Sequence, residues 1–178
     1  MANQRLTDKT ALEEQAGSGD LLMVVDVSDT TGSAAGTSKK IDFKYVIQTD
    51  KFSLDNTEVQ ALHSTPKTLV GALSGYMVTP ISCTVLVTYA SATEASNNSL
   101  YLGYDSSQDL AYWDYGSRFM GGVGTDATYI FAGGAPSLKG VLAGDSILNK
   151  GFYMWSNAAF TGGWTCDVYL TYAYTKVL

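Results

Sequence analysis

MVTPISCTVLVTY, Met77–Tyr89, alternates along most of its length. Its odd positions are Met77, Thr79, Ile81, Cys83, Val85, Val87 and Tyr89, and its even positions include Pro80, Ser82, Thr84 and Thr88. Side chains alternate across a strand, so this period of two predicts a strand with one buried face. CDVYLTYAY, Cys166–Tyr174, repeats the pattern with Cys166, Val168, Leu170, Tyr172 and Tyr174 on one side. Between these two lie SLYLGY, LAYWDY, TYIFAG and GFYMWSN, each rich in aromatic or β-branched residues and bounded by turn formers. The glycine pairs Gly121–Gly122, Gly133–Gly134 and Gly162–Gly163 mark turns or bulges among them. Short strands with a turn signal about every ten residues predict a sandwich or barrel. A parallel α/β sheet is disfavoured, because no helical pattern separates the strands. The expected fold is mainly β: an N-terminal arm with a short helix and strands, then an antiparallel, jelly-roll-like β-sandwich.

Charge is unevenly spread along the chain. Residues 1–58 carry sixteen charged side chains, and residues 59–178, twice as long a stretch, carry twelve. The later part instead holds all three Trp and eleven of the twelve Tyr. This shift divides the chain into an N-terminal anchoring region, 1–57, and an aromatic sandwich domain, 58–178, with the break in TDKFSLDNT. Thr7–Gln15 is the best helix candidate, with Asp8 or Thr10 as cap and Gly17 as stop.

The composition excludes several classes of function. A net charge of −6 with no basic block argues against nucleic acid or an anionic membrane as partner. No apolar run reaches the length of a membrane-spanning helix. The polar opening MANQRLTDKTALEEQ does not read as a secretory signal, so synthesis in a host cytoplasm is expected. Cys83 and Cys166 read as two reduced, buried thiols, with a disulfide as the minor alternative.

No catalytic constellation emerges, so the expectation is a non-enzymatic protein with no cofactor and no metal. A triad would have to use the single histidine, His63. Cys83, Cys166 and His63 lack the spacing of a zinc site. Asp105, Asp109 and Asp114 form a carboxylate cluster that could cleave a glycan, but a polar inter-strand loop is the favoured reading. Trp113, Tyr115, Trp155 and Trp164 read either as packing or subunit-interface residues or as an exposed contact for carbohydrate or protein.

The segment DLLMVVDVSDTTGSAAGTSKKI, Asp20–Ile41, reads as a strand, a loop of small residues and a second strand running on through IDFKYVI. Its VDVSDTT…AGTSKKI pattern resembles the N-terminal segment of small tailed-bacteriophage virion proteins. Leu62, Thr65, Pro66, Leu69, Val70, Gly75, Pro80 and Tyr89 are similarly placed to a pattern that opens a trimer-forming β-sandwich in phage structural proteins. Together the two resemblances cover roughly residues 6–48 and 58–105. They imply a homotrimeric capsid decoration or head-fibre protein located in the virion. Its anchor would comprise Leu22, Val24, Asp26, Ser28, Asp29, Thr30, Gly36, Thr37, Lys39, Lys40 and Ile41. The implied partners are further copies of itself and the major capsid protein or another virion protein. The alternative is a short tail fibre or tail-attached adhesin that binds a host surface receptor.

Overall fold

The computed structural model describes residues 21–42, 46–104, 110–132 and 147–176. The helix candidate Thr7–Gln15, the glycine pair Gly133–Gly134 and the carboxylates Asp105 and Asp109 lie outside them. The chain forms two compact units that divide between Val46 and Ile47.

In the first unit, β1 (Leu21–Asp26) pairs antiparallel with β2 (Thr37–Asp42). The second unit is built on β3 (Gln48–Leu54), α1 (Asn56–Ala61), β4 (Lys67–Val70), β5 (Tyr76–Tyr89), β6 (Leu100–Tyr104), β7 (Ala111–Tyr115), β8 (Ala127–Ala132), β9 (Phe152–Ser156) and β10 (Trp164–Lys176). The unit boundary therefore falls earlier than the composition shift. β3, expected within the N-terminal region, hydrogen-bonds along β10 and belongs to the sandwich.

Two four-stranded antiparallel sheets, β3-β10-β5-β8 and β4-β9-β6-β7, face each other. The pairing is nested: β3 with β10, β4 with β9, β5 with β8, β6 with β7. A two-stranded ribbon rolled up in this way is the jelly roll. Its core mixes aliphatic residues of both sheets, such as Val85, Val168, Leu102 and Met154, with Trp113, Trp164, Phe119, Phe152 and Phe160. Phe119 and Phe160 pack on Trp164 with ring centroids 5.7 and 5.2 Å away.

The expected alternation of β10 holds from Cys166 to Tyr172, all of whose even positions are buried. β5 is different. Cys83, Val85 and Val87 point inward as expected, but before them the buried residues are Val78 and Pro80, not Thr79 and Ile81. The register against β10 slips from Thr171↔Ser82 to Tyr172↔Pro80, so Ile81 is an extra residue. One added residue reverses every side chain beyond it. The same irregularity accommodates Pro80, which lies beyond the Ser82–Val87 stretch paired with β8.

α1 starts at the end of the expected polar break, TDKFSLDNT, and runs into the region expected to be sandwich. Asp55 caps it by accepting from the Glu58 N–H (2.8 Å), and Glu58 accepts in return from the Asp55 N–H (3.1 Å). Among the described residues no helix is long and apolar enough to cross a membrane.

Both thiols are free and buried on inward faces of the first sheet, and burial pushes each up to about 12. The folded protein is therefore expected to resist a thiol reagent at mildly alkaline pH. Both cysteines should react at once in denaturant, and labelling counted by mass spectrometry checks this.

Candidate functional site

The β1–β2 ribbon carries the residues singled out as an anchor. Its register places Leu22 opposite Ile41, Val24 opposite Lys39 and Asp26 opposite Thr37, so these six residues share one face. Met23 and Lys40 lie on the other face with Val25 and Ser38. Leu22, Met23, Val24, Val25 and Val27 are all exposed, Met23 at 68% and Val27 at 75%. A two-stranded ribbon is marginal in water by itself, and this one shows apolar side chains on both faces.

The connecting loop is ordered by local bonds. Asp26 accepts from the backbone N–H and hydroxyl of Ser28 (3.1 and 2.6 Å), and Asp29 does the same for Thr31 (3.0 and 2.7 Å). Thr37 donates to the Asp29 carbonyl (2.8 Å) and accepts from the Gly32 N–H (3.0 Å). Gly36 has φ +112°, and a Cβ there would collide with the Asp26 carbonyl. Thr30 is exposed.

Lys39 sits between two carboxylates, 2.8 Å from Asp26 and 2.9 Å from Asp29. Its ammonium and the Ser28 bonds hold Asp26 well below the usual carboxylate range. Thr31 and then Lys39 hold Asp29 at about 2. The two lysines of the Lys39–Lys40 pair thus differ: Lys39 closes its own loop, whereas Lys40 projects from the opposite face. Lys39→Gln is expected to speed amide exchange across 26–37 and leave the melting temperature of the sandwich unchanged. Hydrogen exchange beside calorimetry would test this.

The aromatic candidates separate cleanly. Trp113, Trp155 and Trp164 are buried within the chain and offer no surface contact or subunit interface. Tyr115 is exposed and packs edge-on against Phe119 and Tyr129. The cause lies in the second sheet, where β6 is buried at all five positions. Leu100, Leu102 and Tyr104 face the main core, while Tyr101 stacks on Trp155 at 5.5 Å in a second cluster with Ala111 and Tyr153. Aromatics do occupy both faces of that sheet, but they are covered inside the same molecule.

Sequence reasoning missed Glu94, a 1% exposed carboxylate at one end of the sandwich. Its side chain accepts from the backbone N–H of Ser96 (2.8 Å), Thr161 (3.0 Å) and Gly162 (2.7 Å), from the Thr161 hydroxyl (2.9 Å) and from the Trp164 indole (3.2 Å). Its carbonyl accepts from Gly122 (3.0 Å). Three loops are thereby tied together over the Phe119–Phe160–Trp164 cluster. Burial raises the carboxyl pKa, but the bonds from Ser96, Gly162 and Thr161 outweigh it and hold the group at about 2. Gly163 permits the close approach, since a Cβ there would run into Ser91. A signal was available: Glu94 is the single acidic residue between Glu58 and Asp105.

His63 is exposed, with Nδ1 3.1 Å from the Gln60 carbonyl. No group of three His, Cys, Asp or Glu residues is placed to hold a metal ion among the described residues. Leu62, Thr65 and Pro66, from the second resemblance, line a pocket of about 220 Å³ whose wall includes the Glu58–Lys67 ion pair (2.7 Å).

No family model and no curated protein matches this chain. Among solved structures it is similar to a chain of the native virion of Kashmir bee virus at neutral pH, with 9% identity over 96% of each chain and a TM-score of 0.29. A chain from the crystal structure of Israel acute paralysis virus shares 8% identity over 93% of this chain and 94% of that one, also with a TM-score of 0.29. A chain of deformed wing virus carrying the GFP gene shares 10% identity over 100% of this chain and 57% of that one, with a TM-score of 0.22. Likenesses this remote assign no function, and the jelly roll rests on the strand pairing itself.

Proposed function

We propose that this chain is a non-enzymatic structural component of a tailed-bacteriophage virion: a homotrimeric capsid decoration or head-fibre protein. It is gripped by the particle through its N-terminal unit and displays the jelly roll. One observation carries the reading. The β1–β2 ribbon exposes four large apolar side chains in a row, Leu22 to Val25, on both faces of a two-stranded sheet that is marginal in water, and Val27 just beyond it is exposed as well. Such a ribbon becomes stable when another protein covers it, and its backbone edges suit strand addition to a neighbouring sheet. The sequence resemblance of this same segment to phage virion anchors names the class of neighbour, the major capsid protein or another virion protein. The jelly roll suits display, because nested pairing yields a rigid body with short edges. The ordered 27–36 loop gives the anchor a fixed tip.

Imaging of intact particles tests the proposal. A decoration protein occupies the shell in hundreds of copies. Density for this chain at the tail, in a few dozen copies or fewer, would replace the proposal with the receptor-binding adhesin.

A further inference from the structure

On the outer side of the second sheet Tyr101, Ala111 and Trp155 are buried, whereas the outer side of the first, β3-β10-β5-β8, exposes Leu86 and Ile130. We propose that this face, centred on Leu86 and Ile130, is the surface through which copies of this chain meet. The inference rests on the self-association proposed for the chain and locates it. The register sets the rows Leu86–Thr128, Thr84–Ile130 and Ser82–Ala132 across β5 and β8, all pointing away from the core. None carries a charge. Across β3 and β10 the charged pair on this face is Lys51 and Asp167, which neutralise each other at 2.9 Å.

Charge decides the occupant. The chain carries −6, so two copies repel wherever unbalanced acidic surface meets. A face with zero net charge, built of Thr, Ser, Ala, Leu, Ile and Tyr with one paired Lys and Asp, is one on which a negatively charged chain meets itself without that penalty. The edge points the same way. β8 forms one edge of its sheet and has neither charge nor proline from Ala127 to Ala132. The remaining edges carry such guards: Asp50 and Lys51 on β3, Lys67 after Pro66 on β4, Asp114 on β7. Ile130 stands 72% exposed at the middle of β8. β5 spans 14 residues and β10 spans 13. At about 3.3 Å per residue and 4.8 Å per strand spacing the face offers roughly 600 Å² in projection. That approaches the ~800 Å² per partner of a stable interface once side-chain relief is counted.

Sedimentation velocity of the full chain tests the assignment, with Ile130→Lys and Leu86→Lys as separate variants. Wild type is expected to run at three times the 19.0 kDa chain mass, and each variant at one. Far-ultraviolet circular dichroism would be unchanged, because both side chains are exposed, whereas the melting temperature would fall to that of the monomer and lose its dependence on concentration. Should one variant misfold, the other, on a different strand, decides the question. If folded variants keep the wild-type mass, copies meet elsewhere, and the face assignment falls while the trimer stands. If wild type runs as a monomer across a concentration series, the assignment and the trimer both fall.

Discussion

A chain lacking residues 2–46 is expected to fold as a soluble sandwich and to lose its ability to join particles. The cut follows the unit boundary between Val46 and Ile47 and leaves β3 whole. This matters because Gln48 is already part of the domain: its side-chain oxygen accepts from the Tyr172 hydroxyl at 3.1 Å, beside Asp50 at 2.8 Å. A cut two residues further on removes Gln48, a buried residue paired with Tyr172 across β3 and β10, and confounds loss of binding with loss of stability. The retained unit has its own core, so its thermal transition should remain single and cooperative. Co-sedimentation with particles is the second readout. If the truncated protein decorates particles as well as the full chain does, the ribbon is no anchor.

Glu94→Ala is expected to give the largest loss of stability of any single substitution considered, about 4 kcal/mol. Two buried donors, the Gly162 N–H and the Trp164 indole, lose their acceptor, and each orphaned group costs roughly 1–3 kcal/mol. For a chain of this size that lowers the melting temperature by about 10 °C. A shift of only a degree or two would show that the three loops hold without their carboxylate. The pH dependence has a definite sign. The folded carboxyl titrates at about 2 against an ordinary 4.5, so its contribution is fully present above pH 4.5 and is lost as pH falls toward 2. The shift corresponds to about 3 kcal/mol. Glu94→Gln, which cannot ionise, should flatten that acid limb in calorimetry across the same window.

The strands were legible because period-two patterning reports burial directly. Cys166–Tyr172 and Cys83–Val87 face inward as their alternation demands. The pattern misled where an extra residue broke the phase. Nothing local to Thr79–Ile81 says that Ile81 is the added one, because a bulge is fixed by the partner strand. The capping pair Asp55 and Glu58 did announce α1, but a six-residue helix leaves too short a period to outweigh its polar surroundings. The tryptophans posed a different problem. Alternation puts Tyr101 and Leu102 on opposite faces without revealing that both faces of β6 are covered. In the anchor segment the sequence supplied the strands and the small-residue loop, whereas Lys39 closing on Asp26 and Asp29 needed three-dimensional proximity to become visible.

β10 lies between β3 and β5, yet it is the last of the eight sandwich strands to leave the ribosome. Until then the nascent chain holds two strands separated by a vacant slot, each offering an unsatisfied ladder to any passing chain. Sandwich assembly accordingly waits for β10, and it is slowed by pairings that join positions more than a hundred residues apart, such as Leu54 with Cys166. A truncation that removes β10 would therefore yield aggregate rather than a smaller domain.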